Sequence, residues 1–237
     1  MKRIAFITDI HMNEELIPNV DAAVQWEKIL ADVASQNIDE LVFGGDIGHF
    51  SAYPWFFDTL KNTPPDFKLL IGNHDTYTEA VRHYSNPYLG NHQELYYAYE
   101  GEHHRYIVLD SSQGCVSDNQ LQWLAGRLQT DKDVVLFIHH PVFSVNTPVD
   151  REFPLTNREQ VQDILQQSGK TIHIFCGHYH LPDEQQHGRI NQSITPAASY
   201  QIKKEAQDIQ PYADYFAYRI IVVLETKITS ELIFLSN

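Results

Sequence analysis

Five short polar clusters contain side chains able to bind metal ions: Asp9 and His11; Asp46; Asn73, His74 and Asp75; His139 and His140; His178 and His180. Their donors are carboxylate oxygens, an amide oxygen and imidazole nitrogens without a thiolate. That set suits Mn, Fe or Zn in an open site and does not suit a structural zinc cage. Asp9, His11, Asp46, Asn73, His139, His178 and His180 are seven donors, too many for one ion and enough for two if a carboxylate is shared. Each cluster taken alone has a plainer reading. Asp9-Ile10-His11 fits a turn, Gly45-Asp46 is ordinary turn chemistry, and Asn73 or Asp75 can cap a following helix. Gly177-His178-Tyr179-His180 is harder to set aside, because two imidazoles two residues apart after a glycine turn can diverge toward adjacent ions.

The clusters share one placement: each follows an apolar run. Ile4–Thr8, Leu41–Gly44, Phe67–Ile71, Tyr106–Leu109, Val134–Ile138 and Thr171–Cys176 are rich in Val, Ile, Phe and Leu without polar alternation, the pattern of strands buried on both faces. Helical patterns alternate with them at 20–36, 53–61, 119–128 and 158–167, the first with Val20, Ala23, Val24, Leu30, Val33 and Ala34 as its apolar stripe. Ile190–Thr195, Ile220–Leu224 and Leu232–Leu235 read as turn-connected strands, which predicts an α/β fold with mixed sheets. In open α/β sheets the carboxyl ends of the strands form the ligand crevice, so neighbouring strands would bring the five clusters together.

Composition narrows the rest. The 237 residues carry a formal charge of −14, which disfavours an extended nucleic-acid partner. No stretch approaches the roughly 20 apolar residues of a membrane span. Asp9 interrupts the opening apolar run too early for a signal peptide, so the expected location is cytoplasmic. Cys115 and Cys176 are the two cysteines, neither a disulfide framework nor a metal knuckle. With no linker, repeat or low-complexity tract, and Pro64-Pro65 lying between periodic segments, residues 1–237 read as one domain. Of the 13 histidines, His83, His92, His103, His104, His173 and His187 fall in no cluster and read as exposed or packing residues.

Taken in order, Asp9-Ile10-His11, Gly45-Asp46, Gly72-Asn73-His74-Asp75, His139 and Gly177-His178-Tyr179-His180 resemble the signature of the calcineurin-like metallophosphoesterase superfamily. The resemblance implies a four-layer αββα sandwich with a dinuclear centre of two divalent or trivalent transition metal ions. It places Asp9, His11 and His180 on one ion, Asn73, His139 and His178 on the other, and Asp46 on both. His139 is preferred to His140 because the family keeps this ligand two places before a proline, here Pro141. Ile138-His139-His140-Pro141, Asp110-Ser111-Ser112 and the segment Ser117 to Leu124 are similar to the bacterial class III cyclic-nucleotide phosphodiesterase and glycerophosphodiesterase branch. The chain departs from that branch at His49, where many members carry an acidic residue. Residues 47–53 also lack the arginine with which the phosphoprotein phosphatase branch holds a dianionic phosphate.

The activity so implied is hydrolysis of a small soluble phosphodiester, a 3′,5′-cyclic nucleotide among the options, through metal-activated hydroxide. Two divalent ions balanced by Asp9, Asp46 and a hydroxide leave about one net positive charge, which matches the monoanion of a diester. His74 is the expected proton donor to the leaving alkoxide, with Asp75 orienting its ring. His49 and His140 are candidate substrate contacts, Phe143 and residues 144–150 candidate walls of the pocket, and Tyr53, Trp55 and Phe56 either stack on a base or belong to the core. Residues 201–218 either cap the pocket or pair subunits, which leaves a homodimer open. Two alternatives stand: a broad-specificity phosphomonoesterase on the same centre, and a non-catalytic scaffold of the same fold, against which the complete ligand set argues.

Overall fold

In the computed structural model, residues 1–14, 20–61, 66–89 and 93–236 are described; Pro64-Pro65 and His92 lie outside them. In chain order the elements are β1 (Lys2–Ile7), α1 (Ala22–Ser35), β2 (Glu40–Gly44), α2 (Tyr53–Leu60), β3 (Phe67–Leu70), α3 (Tyr77–His83), β4 (Tyr97–Glu100) and β5 (His104–Val108). There follow α4 (Asp118–Arg127), β6 (Asp133–Phe137), α5 (Pro148–Glu152), α6 (Arg158–Gln167), β7 (Ile172–Cys176), β8 (Asp183–His187), β9 (Ile190–Ile194), β10 (Gln201–Ile202), β11 (Pro211–Tyr212), β12 (Phe216–Val223) and β13 (Ile228–Leu235).

The strands form two mixed sheets, ordered β13-β12-β1-β2-β3 and β4-β5-β6-β7-β9-β8, plus the small pair β10-β11. β1, β2 and β3 run parallel, as do β5, β6, β7 and β9, whereas β12, β4 and β8 join antiparallel. Side chains alternate across a strand, and that alternation divides the core. Tyr106, Val108, Val135, Phe137 and Phe175 face the first sheet and share its core, with Phe6 stacked on Phe137 at 5.6 Å. Ile107, Val134, Leu136, Ile172 and Ile174 pack on the opposite side with Leu121 and Leu124 of α4 and Val161 and Leu165 of α6. Helices α1 and α2 cover the first sheet, so the layers run helix, sheet, sheet, helix.

Helix α1 forms where the pattern predicts, with Asp21 accepting the Val24 amide as its N-cap. Its buried stripe differs from the predicted one. Ala22, Trp26, Ile29 and Val33, spaced four, three and four apart, turn inward, while Val24 is 44% exposed. Trp26 decides the rotation: its ring meets Phe43 and Phe56, and its indole N–H reaches Thr59 Oγ1 at 2.8 Å. Tyr53 and Phe56 are buried, so that aromatic row belongs to the core and not to a base-stacking surface. Strand β8 escapes the sequence pattern because Asp183-Glu184-Gln185-Gln186-His187 is a polar edge strand with no buried residue.

Candidate metal centre

The loops after β1, β2, β3, β6 and β7 converge at one end of the stacked sheets, and their backbones carry strain there. Among the described non-glycine residues, positive φ angles occur at Asp9 (62°), His11 (51°), Asn13 (60°), Asn37 (52°), Asp46 (59°), His178 (68°) and His180 (51°). Five of these are predicted donors, and such conformations persist only where surrounding contacts impose them. The contacts are on hand: Asp46 O accepts the amides of Ile10 and His11, and Gly45 O accepts that of Asp9. Gly72 permits close approach, since a Cβ there would lie 2.1 Å from Asp46 Oδ1.

Three donor groups result among the described residues, two of them made of predicted ligands, Asp9 with His11 and His180 and Asp46 with His139 and His178, and a third of His11 with Glu14 and His74; within each, the donor atoms lie within 4.8 Å of one another. Asp9 Oδ2 accepts from Thr8 Oγ1 at 2.7 Å and from the His178 amide at 3.1 Å. Its other oxygen, Oδ1, faces Nε2 of His180 at 3.4 Å, His11 at 3.8 Å and His139 at 3.9 Å. Asp46 Oδ2 lies 3.2 Å from His139 Nε2 and 3.6 Å from His11 Nε2.

Each imidazole is anchored through one nitrogen. His139 Nδ1 bonds to Gly44 O at 2.8 Å, His180 Nδ1 to Tyr200 O at 2.8 Å, His178 Nε2 to Phe153 O at 2.9 Å and His11 Nδ1 to Glu14 Oε2 at 2.8 Å. An acceptor on one nitrogen fixes the proton there and leaves the lone pair of the other free, the usual arrangement behind a metal-bound histidine. The centre passes a test for cations on these grounds. Asp9 Oδ1 and His139 Nε2 are buried polar atoms without a hydrogen-bond partner, and the Nε2 atoms of His11 and His180 point at each other across 3.0 Å.

Carboxylates and imidazoles hold one another's charge: burial lowers His11 and His139, but Asp9, Glu14 and Asp46 outweigh it and raise both, His139 to about 9. Burial would raise Asp9 and Asp46, but the facing imidazoles of His180, His11 and His139 hold both carboxyls well below the usual range. Burial and the neighbouring His139 push His178 down to about 4, so it is a neutral donor at neutral pH.

The centre opens into a cleft. Asp46, Asn73, His74, His11, His178 and His180 line its polar side, and Val149, Phe153, Tyr200, Ile202 and Ile209 its opposite wall. Val149 answers the expectation for residues 144–150, and Ile202 and Ile209 show that part of 201–218 borders this cleft.

Three expectations are corrected. Asp75 does not orient His74: its carboxylate accepts the amides of Asp46, Ile47 and Gly72 and the Tyr53 hydroxyl. His74 Nδ1 instead meets Glu14 Oε1 at 2.9 Å, a partner the sequence reading missed although Glu14 lies three residues after His11. Burial raises Glu14, yet hydrogen bonds from His11 and His74 outweigh it and bring its carboxyl down to about 2. His140 is no substrate contact; it is 2% exposed, bonded to Ser111 Oγ and packed behind His178 with ring centroids 4.1 Å apart. His49 is exposed but is absent from the cleft wall among the described residues, and its ring caps the turn Phe50–Ala52 through the Ser51 amide.

The family model described as calcineurin-like phosphoesterase matches residues 2–184. A protein of Fibrobacter succinogenes named as a probable cyclic nucleotide phosphodiesterase is 27% identical over 207 residues, covering 84% of this chain and 81% of its own length. A protein of Arcobacter nitrofigilis named as a probable glycerophosphodiester phosphodiesterase is 31% identical over 154 residues, 60% of this chain and 56% of its own. In fold, a dimetal phosphatase from Danio rerio superposes with a TM-score of 0.71 at 14% identity, covering 99% of this chain and 98% of that one.

Proposed function

The chain belongs to the calcineurin-like phosphoesterase family, a class of hydrolases, and from that premise we propose that it is a dinuclear phosphodiesterase acting on a small soluble diester with an aryl or nucleoside group. The carrying observation is the pair of abutting donor groups in which Asp9 Oδ1 and His139 Nε2 are buried without a hydrogen-bond partner. Asp9, His11 and His180 would hold one cation and Asn73, His139 and His178 the other, with Asp46 available to both. Bound there, Mn, Fe or Zn would polarise the phosphoryl group and supply hydroxide at neutral pH.

The chain's own residues do the rest. His74, its Nδ1–H on Glu14, would act as the imidazolium and give its Nε2 proton to the departing alkoxide. A diester is favoured over a monoester because no lysine or arginine is found among the described residues lining the cleft, and a dianion needs the extra positive charge. The wall of Val149, Phe153, Ile202 and Ile209 supports an apolar, flat leaving group or base. The relatives, named as a probable cyclic nucleotide phosphodiesterase and a probable glycerophosphodiester phosphodiesterase, support the diester class.

The test is hydrolysis of bis(p-nitrophenyl) phosphate, p-nitrophenyl phosphate and 3′,5′-cyclic AMP by metal-stripped protein reloaded with Mn²⁺, beside an Asp46→Asn control. Diester turnover that the control lacks is expected. A preference for the monoester would replace this reading with a phosphomonoesterase.

A further inference from the structure

We infer that Glu14 is a positioning residue that holds the proposed metal ligand His11 and the proposed acid His74 with the two oxygens of one carboxylate. The inference rests on the phosphodiesterase reading for its functional meaning, and on geometry for its structure. Oε2 meets His11 Nδ1 at 2.8 Å and Oε1 meets His74 Nδ1 at 2.9 Å, while the two rings stand edge to face with centroids 4.7 Å apart.

A carboxylate only accepts hydrogen bonds, so both Nδ1 atoms carry protons and both Nε2 atoms are left for other work. For His11 the freed Nε2 faces Asp9, Asp46 and His180. For His74, whose ring lines the cleft, Nε2 is the nitrogen left for substrate. One side chain thus fixes which nitrogen each imidazole turns away from Glu14 and locks the distance between the centre and the proton donor.

The presentation of Glu14 is itself braced. Residues 11–14 are tied to the loop after Asp46, with Met12 N on Ile47 O at 2.8 Å, His49 N on Met12 O at 3.0 Å and Asn13 Nδ2 on Ser51 Oγ at 3.1 Å. Asn13 takes a φ of 60°, a turn that the chain adopts here without a glycine. The backbone of His74 is held separately, its amide on Asp46 Oδ1 at 2.9 Å, so Glu14 governs only the ring. Asp75 cannot take its place, since both of its oxygens are already occupied by four donors.

The experiment compares wild type with Glu14→Ala, Glu14→Gln, His74→Ala and the double variant Glu14→Ala/His74→Ala. In the metal-free proteins, at a pH alkaline enough to leave both rings neutral, long-range ¹H–¹⁵N correlation spectra of the imidazoles should show Nδ1–H at His11 and His74 in the wild type. In Glu14→Ala those two rings should shift toward Nε2–H, while His139 and His180, whose Nδ1 partners are backbone carbonyls, stay unchanged. With saturating Mn²⁺ and bis(p-nitrophenyl) phosphate, Glu14→Ala should lower kcat about 10- to 100-fold with KM little changed. His74→Ala should lose about 10²- to 10⁴-fold, and the double variant should fall by less than the product of the two single losses, because only the share of Glu14 that acts through His11 remains to be lost.

Unaltered tautomers, or an unaltered kcat in Glu14→Ala beside an active wild type, would overturn the inference, as would a fully additive double variant. If Glu14→Ala fails to fold, Glu14→Gln decides, because its single remaining acceptor oxygen can serve one ring and not both. A wild type silent on every diester while the tautomers still move with Glu14 would defeat the phosphodiesterase reading and leave the positioning role standing.

Discussion

Asp75 holds Asp46 from behind: its Oδ2 accepts the Asp46 amide at 2.7 Å and the Gly72 amide at 2.9 Å, so one buried acid joins the loop that presents another to the loop after β3. Replacing Asp75 by asparagine puts an NH₂ donor among groups that are all donors. Asp75→Asn should cost about 1–3 kcal/mol in urea unfolding and weaken Mn²⁺ uptake. Unchanged stability would show that the four bonds do not latch the loops.

Gly177 tests how closely the two sheets meet. A Cβ at this position would lie 2.3 Å from Thr8 Oγ1 and 2.5 Å from Asp9 Oδ2, so Gly177→Ala should destabilise the fold by about 1–3 kcal/mol. It should also abolish cation binding by displacing Asp9. Gly126→Ala is the control, for a Cβ in that part of α4 meets nothing within 4 Å and a helical alanine should stabilise by about 0.5–1 kcal/mol. Calorimetric melting of both variants, with cation titration of the first, separates the two effects.

Phe153 serves twice, its carbonyl holding His178 and its ring standing 54% exposed at the cleft. Phe153→Ala keeps the carbonyl and removes the ring. KM for bis(p-nitrophenyl) phosphate should rise about 5- to 100-fold, while turnover of a methyl diester stays near wild type. An equal loss on both esters would mean that the substitution disturbs His178 and not substrate stacking.

His104 on β5 and His173 on β7 lie outside the centre, and burial pushes both below the ordinary histidine value. A depressed pKa means that the unfolded chain takes protons first, so stability falls as pH drops through about 6.5 toward the lowered folded values. The double variant His104→Gln/His173→Gln should flatten the fall in urea midpoint between pH 7 and pH 5. Parallel slopes for wild type and variant would show that these two histidines do not contribute to it.

The donor types and their attachment to strand ends are legible in the sequence because both are local. A run such as Ile4–Ile7 must be buried and a turn must follow it, so a polar residue there marks the end of the strand. The rotation of α1 is not local, since Trp26 chooses its side by finding Phe43 and Phe56 on other elements. The roles of His140 and Asp75 turned on the same kind of distant choice, one ring bonded to Ser111 and one carboxylate filled by the amides of another loop. Sequence alone therefore determined the donor types and the strand ends that carry them. Only the side-by-side order of β1, β2 and β3 decided that Glu14 reaches both His11 and His74, and only the stacking of the two sheets set Asp9 against His139 with Oδ1 and Nε2 buried and without hydrogen bonds, because a hydrogen bond selects its partner by distance and direction in space, whatever the separation along the chain.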